Sequence, residues 1–197
     1  MPRHAKDVPN LCITPRMRKR RSRLTTFDYV GMYRYFLTFC TRYRRKLFTE
    51  EQAVALVRDQ ILPAAGAYAF ALPAYVFMPD HTHIFAVGRS ESSDLQAFVK
   101  VAKQESGYAF SMACGERLWQ PSFHDRVLRD DESDLHVLRY ILWNPVRAGL
   151  VERPEEYPFL GSTTHSISEI VRMCEAFVPA TSRNDGPVAP TRQRRQA

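Results

Sequence analysis

The sequence predicts an α+β domain of the ferredoxin-like kind: an antiparallel sheet in β-α-β-β-α-β order with helices on one face, followed by a C-terminal helix. Two observations carry this. Through the middle of the chain, runs rich in aromatic and β-branched residues alternate with runs of helical periodicity in that order. Between the second and third strand signals stand only Pro79 and Asp80, a link that permits a hairpin and no crossover.

Tyr35 to Thr41 (YFLTFCT) reads as the first strand. From Glu50 to Leu62, Val54, Leu56, Val57, Ile61 and Leu62 recur at helical spacing, with Thr49 placed as an N-cap. Ala71 to Met78 and His81 to Gly88 read as the hairpin strands. Ser93-Asp94 caps a long helix running to about Ala113. Phe123 to Arg129 reads as the fourth strand, and Ser133 caps a helix that passes Tyr140 and stops before Asn144-Pro145.

This domain is expected over 28–179. Residues 1–27, which include RMRKRRSR, and 180–197, ending TRQRRQA, read as disordered basic tails suited to loose phosphate contact. With 28 Lys and Arg against 21 Asp and Glu, the net charge of +7 favours polyanionic partners. The four cysteines, Cys12, Cys40, Cys114 and Cys174, form no CxxC pair, which argues against a cysteine zinc site and for a reducing cytoplasm. No apolar run is long enough to cross a bilayer, so no membrane partner is expected.

The chemistry concentrates in four segments. In MPDHTHIFAV, His81 and His83 stand two apart on a strand and share one face, ~7 Å apart at the backbone. Their imidazoles either converge on a cation or are two polar residues on a half-exposed strand. On the helix DLQAFVKVAKQESGYAF, the apolar stripe runs through Leu95, Phe98, Val99, Ala102, Ala109 and Phe110. Tyr108 lies off that stripe, on the side of Gln104, and its hydroxyl is free either for nucleophilic attack or simply for solvent. The stretch from Arg117 through Trp119 and Phe123 to Arg126 and Arg129 interleaves cations with aromatics, a pattern suited to single-stranded nucleic acid or to a charged outer strand face. Last, YILWNPVRAGL joins a helix stop to Arg147.

In order and spacing these segments, with FLTFCT and EYPFLGS, resemble the REP-associated tyrosine transposases, a solitary branch of the single-tyrosine, histidine-hydrophobic-histidine (HUH) transposases; the likeness runs from about Tyr35 to Ser162. The resemblance implies a ferredoxin-like fold, a divalent metal (Mg2+ or Mn2+) on His81 and His83, and Tyr108 as the nucleophile. It further implies endonucleolytic cleavage of single-stranded or hairpin DNA through a 5′-phosphotyrosine, in the cytoplasm at the nucleoid, by a monomer or homodimer. Lys100, Lys103, Arg117, Trp119, Arg126, Arg129 and Arg147 are the expected DNA contacts. Two positions depart from the family pattern. Thr82 replaces the hydrophobic residue between the histidines. One turn after Tyr108, where the family often has a polar metal ligand, stands Met112, a poor donor to a hard cation. Gln104, one turn before, is the expected substitute. The alternative is a DNA-binding module descended from such an enzyme; an RNA-binding sheet ranks last, for want of the RNP aromatics.

Overall fold

The computed structural model describes residues 27–177. Four strands, β1 (Arg34–Cys40), β2 (Phe70–Met78), β3 (His81–Gly88) and β4 (His124–Val127), are joined by α1 (Glu51–Ala67) and α2 (Leu95–Cys114). After β4 come α3 (Asp134–Leu142), a short α4 (Asn144–Arg147), β5 (Leu160–Gly161) and α5 (Ile167–Ala176). The sheet order is β4-β1-β3-β2-β5 and every pairing is antiparallel. The ferredoxin-like core is therefore as expected, with β5 added at the β2 edge.

Strand alternation divides the core in two. Tyr35, Leu37 and Phe39 of β1 and Ile84 and Ala86 of β3 point to one face, where Val54, Val57 and Ile61 of α1 and Phe98, Val99, Ala102 and Phe110 of α2 cover them. Ala74, Val76, Met78 and Phe85 point to the other, where Val137, Leu138, Ile141 and Leu142 of α3 and Ile170, Val171 and Cys174 of α5 pack. The expectation of helices on one face therefore needs correcting. It holds for α1 and α2, but α3 and α5 cover the opposite side. The physical reason is in β2, whose last five residues, Ala74 to Met78, are all buried. A strand apolar on both sides needs a layer on both sides.

Both α2 and α3 begin at caps read from the sequence: Asp94 accepts from Ala97 N and Ser133 from Leu135 N. Arg34 of β1 then fixes where α3 starts. Its guanidinium bonds the Asp134 carboxylate at 2.6 Å and Glu132 O at 3.0 Å, and it reaches Arg129 O as well. Farther along, the Tyr157 hydroxyl donates to Phe77 O at 2.8 Å, tying the segment between α4 and β5 to the sheet. The expected tails lie outside the described residues, apart from Phe27, whose ring packs edge-on against Tyr29 and Tyr33.

Ile141 is fully buried between α3 and the sheet. Ile141→Ala is expected to cost about 2–5 kcal/mol, read as a lower urea midpoint at unchanged slope. A cost under about 1 kcal/mol would mean that α3 is not seated as described.

Candidate active site

The site is built on β3. Thr82, Ile84 and Ala86 face α1 and α2, so His81 and His83 face the α3 side. Thr82 is wholly buried, and its hydroxyl donates to Val76 O at 2.8 Å, which is how a threonine fits a hydrophobic slot. The His81 Nδ1 lies 2.6 Å from Asp80 Oδ1, and the His83 Nδ1 lies 2.9 Å from Thr38 Oγ1. A carboxylate only accepts, so it draws the His81 proton to Nδ1, and Thr38 can accept in the same way from His83. The two Nε2 atoms face one space, 3.2 Å apart. At that distance one ring's Nε2–H can donate to the other's Nε2, and with both protons on Nδ1 the two lone pairs would hold a divalent ion between them. The donor set fits such a metal, with the outer hydrogen bonds that orient metal-bound imidazoles already in place.

Burial keeps both imidazoles neutral, the form that ligates. Desolvation pushes His83 down to about 3, with His81, Arg147 and Arg44 adding positive charge nearby. His81 is lowered too, chiefly by desolvation, against the opposing pull of Asp80. Among the described residues no group of three His, Cys, Asp or Glu is placed to hold a metal. A third protein donor would therefore be an amide or hydroxyl.

An aromatic cluster stands against the pair. Phe36 of β1 stacks on His83 at 5.0 Å between centroids, and Tyr140 of α3 meets His83 edge-on at 5.6 Å and Phe36 at 5.5 Å. Tyr140 is partly exposed. The Arg147 guanidinium lies 4.6 Å from the centre of the Tyr140 ring and donates to Tyr140 O at 2.6 Å. The last turn of α3 runs almost directly into α4, with Trp143 N bonded to Arg139 O and Arg147 N to Trp143 O. Asn144 thus follows Tyr140 by one helical turn, half-buried.

Tyr108 and Gln104 are not part of this cluster, and this corrects the expectation. Both are on α2, which packs on the opposite face of the sheet, and Tyr108 is 65% exposed with Met112 beside it at 69%. Periodicity placed the Tyr108 hydroxyl in solvent but could not say on which side of the sheet. Tyr140 was passed over; the signal that marks it is Asn144, the polar residue one turn later that Tyr108 lacks.

The expected DNA contacts divide. Arg147 is in the cluster. Arg126 points to the histidine face, since it pairs with Phe36, and is bridged to Glu132 at 2.5 Å. Arg129 and Arg117 are exposed, and Lys100 is exposed on the far side with α2. Lys103 and Trp119 are structural. Lys103 donates to Gln120 O at 2.8 Å and Ser122 O at 2.9 Å, and burial lowers it to about 8. Trp119 donates to Ser106 Oγ at 2.9 Å and packs on Phe39 and Phe48.

The profile of the family described as "Transposase IS200 like" matches residues 29–142, a span that holds the whole sheet but β5, the histidine pair and Tyr140. The chain belongs to the IS200-like transposase family. It is an enzyme of that transposase class. A REP-associated tyrosine transposase of Escherichia coli (strain K12) is 29% identical over 139 residues, 70% of this chain and 79% of that protein. A solved structure of a REP-associated tyrosine transposase bound to a REP hairpin shares the fold, with a TM-score of 0.62 at 24% identity over 89% of this chain and 100% of the other.

Two predictions follow from the transposase site. Folded His83 refuses a proton that the unfolded chain takes up below about pH 6.5, so with divalent ions chelated stability falls as pH drops from about 6.5 toward 3. Over pH 4–6, urea unfolding of the wild type should lose up to about 1.4 kcal/mol per pH unit more than His83→Gln. Equal slopes would mean His83 is not buried as a neutral ring. Lys103→Met should lower the urea midpoint, by about 1–3 kcal/mol for the carbonyls left unpaired, without changing the salt dependence of DNA binding. A salt slope smaller by about one would return Lys103 to phosphate contact.

Proposed function

We propose that this transposase is a metal-dependent endonuclease and strand transferase for single-stranded or hairpin DNA, with Tyr140 as its nucleophile. The observation that carries the reading is the approach of Tyr140 to His83, 5.6 Å ring to ring, on the face where the two Nε2 atoms converge. His81 and His83 would hold the divalent cation, Mg2+ or Mn2+, with Asn144 as third donor. When bound, it would polarise the scissile phosphate and offset charge developing on its oxygens. Asp80 and Thr38 orient the two rings from behind. Arg147 brings a fixed positive charge over Tyr140, where a phosphate would enter.

In the reaction, Tyr140 Oη bonds to phosphorus and the phenolic proton passes to solvent. The P–O3′ bond breaks, and the departing O3′ takes up a proton. The products are a 5′-phosphotyrosine and a free 3′-hydroxyl. The new bond is again a phosphodiester, so a second 3′-hydroxyl attacking it can rejoin strands without another energy source. Histidines and tyrosine come from one chain, so a monomer suffices. Met112 was the feature that favoured a binding-only module, and it loses its force once the tyrosine is Tyr140. A basic DNA enzyme of this kind belongs in the cytoplasm at the nucleoid.

The test is incubation with labelled single-stranded hairpin DNA from beside the protein's own gene, with magnesium or manganese, on denaturing gels. Wild type and Tyr108→Phe should give a protein-linked band; Tyr140→Phe and His81→Ala should give none. A band that survives in Tyr140→Phe would move the nucleophile elsewhere. Hairpin retention without cleavage in any metal would reduce the protein to a binding module.

A further inference from the structure

A basic turn with an exposed tyrosine closes the histidine end of the sheet. Arg42–Arg44 form one 3-10 turn directly after β1, whose last residue, Cys40, pairs with His81. Tyr43 and Arg44 both have φ of 57°, the left-handed region that residues bearing a Cβ seldom adopt. The turn is clamped in that shape. Thr41 Oγ1 lies 2.6 Å from Arg45 O and 2.9 Å from Asp80 O, and Arg42 N donates to Leu118 O at 2.6 Å. Strain held this firmly marks a place where the fold presents something. What it presents is the Tyr43 ring, 75% exposed and contributing nothing to the core.

The surroundings say what the ring would meet. The Arg42 guanidinium covers one face of it at 4.9 Å and donates to its hydroxyl at 3.0 Å. Beside it opens a cleft of about 220 Å³ lined by Arg42, Tyr43, Arg45, Glu116 and Arg117. Arg44 in the turn and Lys46 just after it are exposed, and among the described residues Asp80 and Glu116 answer these cations, through Arg44 and Arg45. An aromatic face among cations suits an unpaired base with its phosphates, whereas a duplex hides its base faces.

We propose that Tyr43 is a stacking platform for an unpaired base of the DNA strand, held by Arg42, Arg45 and Arg117 and set beside the histidine pair. This rests on the strand-cutting reading above. The link to the site is short: Arg44 Nε lies 3.0 Å from Asp80 Oδ2, and Asp80 Oδ1 lies 2.6 Å from His81 Nδ1. The base seated there belongs to the single-stranded flank of the hairpin, next to the phosphate to be cut, and not to the stem.

The test uses the full chain with divalent ions chelated and two labelled hairpins of the same stem. One is blunt, and the other carries a single-stranded flank with 2-aminopurine at successive positions. Wild type should quench the fluorescence at one flank position. Tyr43→Asn suits the left-handed turn and removes the ring. It should lose the quench and bind the flanked hairpin about tenfold or more weakly, with the blunt hairpin unaffected. Tyr43→Trp should keep both signals. Flanked binding by Tyr43→Asn at wild-type strength, equal losses on the two hairpins, or no quenched position would each overturn the platform. Cutting with magnesium is scored separately. A wild type that stacks the flank and cuts nothing loses the strand-transfer reading and keeps this one; quench and affinity loss absent beside normal cutting would do the reverse.

Discussion

Everything at the site follows from the period of two along β3. Because Thr82, Ile84 and Ala86 go into the α1–α2 core, His81 and His83 have no choice but the opposite face. That face is then the one whose cover matters. A slip of one residue in the pairing of β3 with β1 would turn both imidazoles into the α1–α2 core and Ile84 to the α3 side. The hairpin at Pro79-Asp80 and the full-length pairing of β1 with β3, from Arg34–Val87 to Cys40–His81, hold the register.

Given that register, burial and hydrogen bonding act in opposite directions on His81, and the magnitudes decide the outcome. Asp80 alone would raise His81 and favour its charged form, but desolvation is the larger effect and lowers it. For His83, whose side-chain partner is a neutral hydroxyl, nothing opposes desolvation, and its value falls to about 3. Both rings are therefore neutral at physiological pH, with their Nε2 atoms 3.2 Å apart.

How much of this was legible in the sequence depended on the range of the interaction concerned. Local signals carried the strands, α1, α2 and α3, the caps at Asp94 and Ser133, and the shared face of His81 and His83. The tyrosine beside the histidines was another matter. Tyr108 and Tyr140 both lie on amphipathic helices, and nothing local says which helix packs on the histidine side. That is settled by right-handed crossover connections, which put α1 and α2 together on one face, and by the apolar run of β2, which demands a second layer on the other. Lys103 and Trp119 misled for a related reason. A lysine among aromatics looks like a nucleic-acid contact until the loop carbonyls of Gln120 and Ser122, some twenty residues on, are seen to occupy its ammonium.

The residues that seat Tyr140 come from both sides of the point where the family match ends. The family match ends at residue 142, yet Arg147 lies over the Tyr140 ring, Tyr157 anchors its segment to Phe77, and Ile170, Val171 and Cys174 of α5 close the layer on which α3 rests. Within that segment α3 is held by Arg34, through Asp134 and Glu132, and by Ala74, Val76, Met78 and Phe85 of the sheet on which it packs. The sheet carries the histidines, while the seating of Tyr140 over them also draws on this later layer. Changes in α4, α5 or the turn between them can therefore shift Tyr140 relative to His83 while β3, which carries both histidines, keeps its place in the sheet.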